Sequence, residues 1–506
     1  MNDPDQKGGF VRYEDVGDDY LEKRKLRRSA GWILLWALGV GAVISGDFSG
    51  WNFGLGAGGF GGLAIGTLLM AVMYVCMVFS IAELTAALPH AGGFYSFTRN
   101  AFGPLGGFVC GVTDTIEYVI TPAVVVFFIG AYMQTLIPGV PVPVWWVLYY
   151  ALFAFINIRG VELTLKVGMV VTAIAAAILI IFGISVIFSG KFDGSLLFNI
   201  PPEGNNPAWL PFGGIGVFKA LPYAMWFYLA IEQLPLAAEE AHNTVRDIPK
   251  ALIWGIATLL GLSLLVLVLN PGLPVEVTAA DGTTLTGAAA IGVSGAPIAD
   301  GFRVIFGDGL IFRLLTIAAL TGLVASFHTI LYAAGRVMFS LSRAGYYPRW
   351  MSIVSKWHTP AIAVIVSSFI GLACAFMIQF GGATVGPALL NMAVFGAVIS
   401  YTMVMLAYIR LKITRPQLNR PYLSPLGIPG AAVGAVLSLV ALLACFSDAA
   451  YRPGVWGVAI FLATMIAYFV FYSRKKLVAR APEEEDALVG HAMREIEQTH
   501  SPHMHQ

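Results

Sequence analysis

The stretch AVISGDFSG, residues 42–50, places an aspartate near the middle of the first long apolar segment of the chain. Asp47 puts a charge where a spanning helix would meet hydrocarbon, and the glycines around it weaken the helix. Backbone groups freed by a break in a spanning helix must face a protein cavity, because lipid offers them no hydrogen-bond partner. The stretch therefore predicts that residues 44–48 are the unwound centre of a discontinuous helix, with Asp47 facing a substrate or an ion.

The composition is that of a polytopic membrane protein. Of the 506 residues, 58% are hydrophobic and 12% are charged, and the mean hydropathy is +0.77. The net charge of +1 argues against nucleic acid or acidic partners. The four cysteines lie in apolar runs without metal-ligand spacing, so we expect buried small hydrophobes, no metal site and no cofactor. The polar segment before the first apolar run does not fit a cleavable signal peptide, so we expect the first helix to be retained.

Apolar runs long enough to span a bilayer predict twelve transmembrane helices. They lie near residues 31–60, 62–87, 105–137, 143–158, 163–188, 214–237, 250–269, 309–340, 360–380, 384–410, 429–447 and 454–473. The predicted domain of residues 30–476 lies between an N-terminal tail, residues 1–29, and a C-terminal tail, residues 477–506. We expect the C-terminal tail to be solvated, because it carries a run of acidic residues.

The distribution of basic residues predicts the topology. Of the 30 Lys and Arg residues, five lie on the side opposite to the chain ends. These five are Lys191, Lys219, Arg303, Arg313 and Arg452. The positive-inside rule therefore predicts that both termini are cytoplasmic and that the protein spans the inner (plasma) membrane several times.

A second interrupted segment follows five helices after the first. Pro222 removes a backbone donor from helix 6, and Glu232 places an acid at membrane depth. Transporters built from inverted repeats bind their substrate where two broken helices meet at equivalent positions in the two halves. The spacing predicts an all-α membrane protein of the 5+5 inverted-repeat class, with helices 1 and 6 discontinuous. The repeats would cover about residues 30–188 and 214–410, followed by helices 11 and 12.

Other polar side chains at membrane depth are candidates for substrate or proton binding. Glu117 lies on one face of helix 3 with Asp114, and burial beside a polar partner explains such acids as well as a functional role does. His328 lies in helix 8, where it is either a satisfied interior histidine or a proton carrier. The candidates for proton coupling are Asp47, Glu117, Glu232 and His328.

Several segments, in order, resemble the amino acid, polyamine and organocation (APC) transporter superfamily. They are the glycine-rich break in helix 1 and residues 83–95, 157–160, 239–249 and 335–348. The resemblance covers roughly residues 30–360. It implies a transporter whose breaks in helices 1 and 6 line the substrate pocket, with Trp226 as a wall or gate. The candidates for substrate binding come from this resemblance and from the polar side chains at membrane depth. They are Ile44, Ser45, Gly46, Asp47, Phe48, Glu117, Trp226, Phe227, Tyr228, Leu229, Ala230 and His328.

The sequence departs from the superfamily pattern at the first break. Members that carry amino acids typically read Gly-Ser-Gly-Ile-Phe there, whereas this chain reads ISGDF at residues 44–48. An acid at this position would repel a substrate carboxylate and attract an ammonium group. The longer phrase SGDFSGWNFG, residues 45–54, resembles the ethanolamine permease branch.

The resulting hypothesis is a secondary transporter that imports a small organic amine, most simply ethanolamine, by alternating access. Proton linkage is the expected coupling, with sodium coupling or exchange as alternatives. An amino acid or polyamine transporter of the same fold, an amine-sensing membrane protein and a channel-like pore are the other readings. We expect no enzyme activity, because no nucleophile-base pair, phosphate-binding loop or metal cluster is evident. The expected partners are the small substrate and the lipid bilayer, and the sequence gives no oligomeric state.

Overall fold

The computed structural model describes residues 10–17, 19–278, 282–381, 385–447 and 451–500. The ends of both predicted tails, residues 1–9 and 501–506, lie outside the described residues, as does residue 384, where the tenth predicted helix begins. In the described ranges, eleven helices are long and apolar enough to cross a membrane, and the shorter apolar segment Trp32–Phe48 supplies the first half of helix 1. The predicted all-α class with twelve transmembrane helices is confirmed, and the chain is a multi-pass membrane protein.

The α-helices in chain order are α1 (Trp32–Val43), α2 (Ser45–Phe48), α3 (Phe53–Ala87), α4 (Phe94–Leu136), α5 (Val142–Arg159), α6 (Val161–Ser189), α7 (Gly213–Ala224), α8 (Thr244–Leu269), α9 (Gly287–Ile291), α10 (Pro297–Phe306), α11 (Leu310–Arg343), α12 (Ala361–Phe380), α13 (Val385–Thr414), α14 (Gly427–Ala444), α15 (Arg452–Phe471) and α16 (Pro482–His500). Short 3-10 helices cover Glu22–Arg24, Gly194–Phe198, Met225–Phe227, Ile231–Glu240, Arg349–Ser352 and Ser473–Lys475. Two short strands, β1 (Glu276–Thr278) and β2 (Thr284–Thr286), pair antiparallel in the loop before α9.

The first break lies a few residues later than the sequence predicts. Ile44 keeps helical dihedral angles (φ −57°, ψ −21°), and α2 adds one more helical turn through Phe48. The chain becomes extended at Ser49 (φ −168°, ψ 160°) and is left-handed at Gly50 (φ 99°). The prediction that residues 44–48 are unwound is therefore wrong in position. The non-helical segment is residues 49–52, and Asp47 lies in the last helical turn before it.

Asn52 fixes this break with its side chain. Its Oδ1 accepts a hydrogen bond from the Gly50 N–H at 3.1 Å, and its Nδ2 donates to the carbonyls of Ile291 (2.7 Å) and Ser294 (2.9 Å). A side chain that bonds nearby backbone groups offers the chain an alternative to helical hydrogen bonds. The loop around α9 is thereby tied to the break in helix 1.

Helix 6 is also discontinuous, as predicted. Helix α7 ends at Ala224, a 3-10 turn follows, and Ala230 has left-handed dihedral angles (φ 82°, ψ 5°) that residues other than glycine rarely adopt. The second half, Ile231–Glu240, is a 3-10 helix that contains Pro235. Proline cannot donate a backbone hydrogen bond, and this second half ends at Glu240, three residues beyond the predicted end of helix 6 at residue 237.

Small residues bring the outer half of helix 1 against helix 6. Helix α3 bends at Gly59 (φ 68°, ψ 176°), which separates residues 53–58 of helix 1 from residues 60–87 of helix 2. A Cβ atom on Gly58 would lie 2.7 Å from the carbonyl oxygen of Gly216 in α7. Such close approach of backbones is typical of membrane helix pairs with small residues at the contact. The packing of α3 on α7 holds the two breaks at one level of the bundle.

The first and the last described residues of the chain lie on one face of the bundle. We call it the terminal face; it comprises residues 10–17, 19–30, 88–93, 159–166, 239–246, 343–360 and 473–500. The N-terminal tail pairs with the segment after α15, with hydrogen bonds from Arg12 N–H to the Arg474 carbonyl and from Glu14 N–H to the Leu477 carbonyl, each 2.8 Å. A shared face for both ends agrees with an even number of spans.

The acidic run of the C-terminal tail is largely buried and not solvated, which corrects the sequence prediction for this part of the tail. Glu483 and Glu484 at the start of α16 are fully buried. Arg99 Nε donates to Glu484 Oε2 at 2.8 Å, and Arg343 Nη2 donates to Glu483 Oε1 at 2.6 Å. One turn further on, a hydrogen bond to His90 lowers the pKa of the Asp486 carboxyl. The acidic run is therefore ordered by basic partners on the membrane helices.

The terminal end of the bundle is closed by a third buried ion pair. Arg336 of α11 donates to Glu240 at the end of helix 6, with Nη2 and Oε1 2.8 Å apart and both side chains fully buried. The Tyr332 hydroxyl also donates to Glu240. The Glu240 carbonyl accepts the N–H groups of Ser29 (2.8 Å) and Ala30 (3.0 Å), just before helix 1. Glu240 thus joins helix 1, helix 6 and α11.

Changing Glu484 to glutamine is expected to destabilise the protein. The change leaves the Arg99 guanidinium buried without its counter-charge, and breaking a buried pair in this way costs about 3–5 kcal/mol. The matched control is Glu485→Gln, because Glu485 is the exposed neighbour in the same helix turn. Thermal melting of the purified protein in detergent should show a clear decrease for the first variant and little change for the second. Equal melting temperatures would contradict the structural role of the buried acid.

Candidate functional site

The two breaks touch each other at Gly46. A Cβ atom on Gly46 would lie 1.7 Å from the carbonyl oxygen of Trp226, so no other residue fits without displacing backbone. The indole of Trp226 also lies against Gly50, where a Cβ atom would be 3.1 Å from the ring. Trp51 and Phe227 stack with centroids 5.2 Å apart and planes inclined by 27°. The structure therefore brings the predicted segments of helices 1 and 6 together in one buried centre.

Replacing Gly46 with alanine is expected to separate the two breaks. The new methyl group collides with the Trp226 carbonyl, and forcing extra atoms into a packed interior costs about 1–3 kcal/mol. Gly56→Ala is the matched control, because nothing lies within 4 Å of a Cβ atom there. Melting and substrate uptake should both fall for the first variant and stay close to the parent for the second. Normal uptake by the Gly46 variant would show that the close contact is dispensable.

Asp47 is buried and its carboxylate has no partner. Its exposed fraction is 0%, and neither oxygen accepts a hydrogen bond from the described residues. Three other buried polar atoms near the breaks have no hydrogen-bond partner among the described residues. They are Ser49 Oγ and Trp51 Nε1, close to Asp47 in sequence, and Trp226 Nε1 in the break of helix 6. A buried carboxylate is costly unless a cation, a proton or hydrogen-bond donors compensate it. The arrangement is suited to receive a cationic group.

The amide groups near Asp47 are largely engaged. Ser45 N–H donates to Ser326 Oγ of α11 at 3.0 Å, and that hydroxyl donates to the Gly41 carbonyl at 2.8 Å. Asp47 N–H donates to the Ile44 carbonyl (3.1 Å) and Ser49 N–H to the Ser45 carbonyl (3.0 Å). The Gly50 N–H is taken by Asn52. These four amides are thus not available to a substrate carboxylate in this conformation, and the supporting role of Ser326 could not be found from the sequence.

The other predicted pocket residues are buried around the same centre. The Phe48 ring fills the space beside Gly322 of α11, where a Cβ atom would be 2.1 Å from the ring. The Tyr228 hydroxyl lies 3.0 Å from Ser263 Oγ of α8. Three further predicted residues, Ile44, Leu229 and Ala230, are buried apolar residues at the ends of the two breaks.

Glu117 and Glu232 meet at one tyrosine. The Tyr401 hydroxyl of α13 lies 3.2 Å from Glu117 Oε1 and 2.7 Å from Glu232 Oε1, and all three side chains are buried. A tyrosine hydroxyl carries one hydrogen and donates it to one acceptor. The contact with the second carboxyl group is a hydrogen bond only when that group carries a proton. The geometry therefore places two buried carboxyl groups around one hydroxyl, and a proton on one of them would complete the hydrogen bonding.

The acid pair is connected to the break in helix 6 through tyrosines. The Tyr74 hydroxyl donates to the Tyr401 hydroxyl at 3.4 Å, and the Tyr74 and Tyr228 rings have centroids 5.5 Å apart. Glu232 itself follows the left-handed residue Ala230 by two positions. Tyr401 and Tyr74 carry no signal in the sequence that marks them as part of a site.

His328 is placed apart from the break. It lies two residues after Ser326 in α11, and two positions correspond to about 200° around a helix. Its Nε2 donates to the Thr164 carbonyl at 2.9 Å, and its Nδ1 lies 3.2 Å from Asn157 Nδ2, which is a donor. One protonated and one accepting ring nitrogen define a neutral imidazole. The structure does not bring His328 together with Asp47 or the acid pair.

Comparison with known proteins identifies relatives over most of the chain. A family model described as amino acid permease matches residues 33–478. An uncharacterized transporter of Rhizobium meliloti is 30% identical over 354 residues, which is 68% of this chain and 71% of the relative. The branched-chain amino acid permease BcaP of Bacillus subtilis is 27% identical over 93% of this chain and 98% of its own. The aromatic amino acid transport protein AroP of Escherichia coli is 24% identical over 78% and 84%, respectively.

Proposed function

The chain belongs to the amino acid permease family, and from this premise we propose that it imports a small organic amine, most simply ethanolamine, by alternating access. Family membership makes it a membrane transporter of small organic molecules and not an enzyme, and agrees with the expected APC resemblance. What we propose beyond family membership is that the substrate is an amine. The observation that carries it is the buried carboxylate of Asp47, which has no partner at the contact between the two broken helices.

Electrostatics favours an ammonium group at this position over a carboxylate. Two unit charges about 4 Å apart interact by about 4 kcal/mol at an effective dielectric constant of 20. Asp47 therefore attracts an ammonium group strongly and repels a carboxylate strongly. The amides of Ser45, Asp47, Ser49 and Gly50 already donate within the protein. A substrate with an amine and a hydroxyl but no carboxylate fits both conditions. The Trp226 indole would add a cation-π contact to the same ammonium group.

Proton coupling is proposed to use the acid pair. Glu117 and Glu232 share one proton through Tyr401, and the tyrosines link them to helix 6, which carries half of the substrate site. Substrate binding that moves helix 6 would then change the contact between the acids and release or take up that proton. No resident cofactor is proposed, and the coupling ion is a proton in preference to sodium.

The proposed location is the plasma membrane with both termini in the cytoplasm, on the basis of the positive-inside rule. The terminal face would then be the cytoplasmic face, and it is closed in this conformation by the contacts of Glu240. Release of substrate into the cell requires the Arg336 ion pair and the tail contacts to separate.

A second candidate is an amino acid substrate, and the relatives favour it. BcaP and AroP are named for branched-chain and aromatic amino acids. In this case Asp47 would bind the α-amino group, and the substrate carboxylate would need donors other than the four engaged amides.

Ligand-induced thermal stabilisation of the purified protein separates the two candidates. The panel contains ethanolamine, choline, putrescine, alanine, lysine, leucine and phenylalanine. Stabilisation by ethanolamine but not by the amino acids is the expected result. Stabilisation by leucine or phenylalanine alone would replace the amine with an amino acid substrate and leave the family assignment intact.

A further inference from the structure

The terminal face contains two neighbouring cavities that share Arg27 and His358. Their volumes are about 920 Å³ and about 440 Å³. The smaller one lies where α5 ends and α6 begins, beside the segment that precedes α12. The inner ends of these helices border the bilayer, since Leu163 and Phe155 are exposed apolar residues. The smaller cavity is therefore at the level of lipid headgroups.

The charge in the smaller cavity is unbalanced. Its basic lining residues are Arg27, Arg159, Lys166 and Lys356, and its acidic one is Glu162. Glu162 is already paired with Lys166 at 2.7 Å. Within the described ranges, no ion pair joins a carboxylate to the other three basic side chains. A concave surface lined by one sign of charge concentrates the opposite ion.

Two of these cations are held around one aromatic ring. The Arg159 guanidinium carbon lies 4.9 Å and the Lys356 ammonium nitrogen 4.8 Å from the Trp357 ring centroid. The next residue, His358, has a positive φ of 55° and is one of two residues other than glycine with that conformation in the described chain. Such strain persists where surrounding structure holds it, and it often accompanies a binding site. The segment around Trp357 therefore holds two positive charges, those of Arg159 and Lys356, at the same ring.

An apolar groove lies further along α5 from this cavity. It has a volume of about 240 Å³, lies between α5 and α12, and is lined by Val147, Ala151, Ala154, Ile365, Phe369 and Leu372 among others. Ala154 precedes Arg159 by five residues on α5, a rise of about 7.5 Å. Phe369 is 74% exposed, so the groove opens to the hydrocarbon. Along the axis of α5, the apolar groove and the basic cavity are thus separated by about 7.5 Å.

We propose that this cavity and groove bind one anionic phospholipid. Its phosphate group would be held by Arg159 and Lys356, and one acyl chain would lie along the groove. Basic pockets between transmembrane helices are suited to anionic headgroups, and arginine gives paired hydrogen bonds to phosphate oxygens. A soluble phosphate compound would use the cavity but would leave the groove without an occupant, which favours the lipid.

Native mass spectrometry of the full-length protein in detergent tests this site. The probes are dioleoyl phosphatidylglycerol, dioleoyl phosphatidylcholine and soluble glycerol phosphate. The parent should retain phosphatidylglycerol in preference to phosphatidylcholine. The double variant Arg159→Gln/Lys356→Gln should bind phosphatidylglycerol about tenfold or more weakly, since each basic residue near an anionic surface contributes appreciably. The control Arg246→Gln/Lys475→Gln removes the same charge from exposed positions of the same face and should leave binding unchanged.

A groove variant separates the lipid from a soluble anion. Ala154→Phe fills the groove, so it should weaken phosphatidylglycerol binding and leave glycerol phosphate binding as in the parent. Equal losses in the test and control double variants would overturn the site in favour of general surface charge. Tight binding of glycerol phosphate, together with unchanged phosphatidylglycerol binding by Ala154→Phe, would overturn the assignment of a lipid as the ligand. The variant Arg159→Lys/Lys356→Arg retains both charges and should still bind phosphatidylglycerol. It shows that weaker binding by the glutamine double variant does not come from a failure to fold.

Discussion

Replacing Asp47 with asparagine is expected to reduce ethanolamine uptake into proteoliposomes by roughly a hundredfold or more, because an ion pair worth about 4 kcal/mol is lost from a low-dielectric site. Asparagine has nearly the same shape, so the fold around the breaks should persist. Thermal stabilisation by ethanolamine should disappear in the same variant. The effect would therefore be on substrate affinity and not on assembly of the bundle.

The control for Asp47 is another buried acid of the membrane domain. Asp114 of α4 is also almost fully buried, at 1% exposure. Asp114→Asn removes a carboxylate of the same chemistry from a helix that carries neither break, and we expect ethanolamine stabilisation to survive it. If the Asp47 variant took up ethanolamine normally, the amine site would have to lie elsewhere.

Replacing Glu232 with glutamine is expected to uncouple transport from the proton gradient. The variant retains a hydrogen-bonding side chain beside Tyr401 but cannot carry the shared proton. A gradient of one pH unit supplies about 1.4 kcal/mol per proton, which corresponds to roughly tenfold accumulation of substrate. The parent should show this accumulation in proteoliposomes, and the variant should lose it. Exchange of labelled for unlabelled substrate needs no net proton movement and should continue.

Glu117→Gln tests the same pair from the other side. Under the proposed sharing of one proton by the two acids, either change should give the same uncoupled behaviour. His328→Gln is the comparison variant, since the neutral histidine contacts Thr164 and Asn157 and not the acid pair. Uncoupling by His328→Gln with gradient-driven uptake preserved in both glutamate variants would move the proton site to α11.

The twelve helices and the two breaks could be predicted from the sequence, because they depend on local properties. Spanning helices need only length and apolar composition, and a glycine-flanked aspartate or a proline disrupts a helix wherever it packs. The position of the first break was wrong by a few residues. Asn52 decides it through contacts with the loop around α9, more than 230 positions away in the chain.

The partners of the buried acids could not be predicted, because they are distant in sequence. Tyr401 is 284 residues from Glu117 and 169 from Glu232, and no pattern near either acid indicates it. The acidic tail has the composition of a solvated segment, and its order depends on partners distant in sequence, chiefly the buried arginines on α4 and α11. The face of α11 on which His328 lies likewise depends on packing and not on composition.

The burial of α16 has a consequence for biosynthesis. Its first residues follow every transmembrane helix in the chain, yet Glu483 and Glu484 are the counter-charges of Arg343 and Arg99. A nascent chain that has inserted every transmembrane helix still has these arginines exposed at an incomplete surface. The surface becomes complete only when α16 packs against it, so a chain cut before α16 would keep two arginines without these counter-charges, which quality-control proteases could recognise.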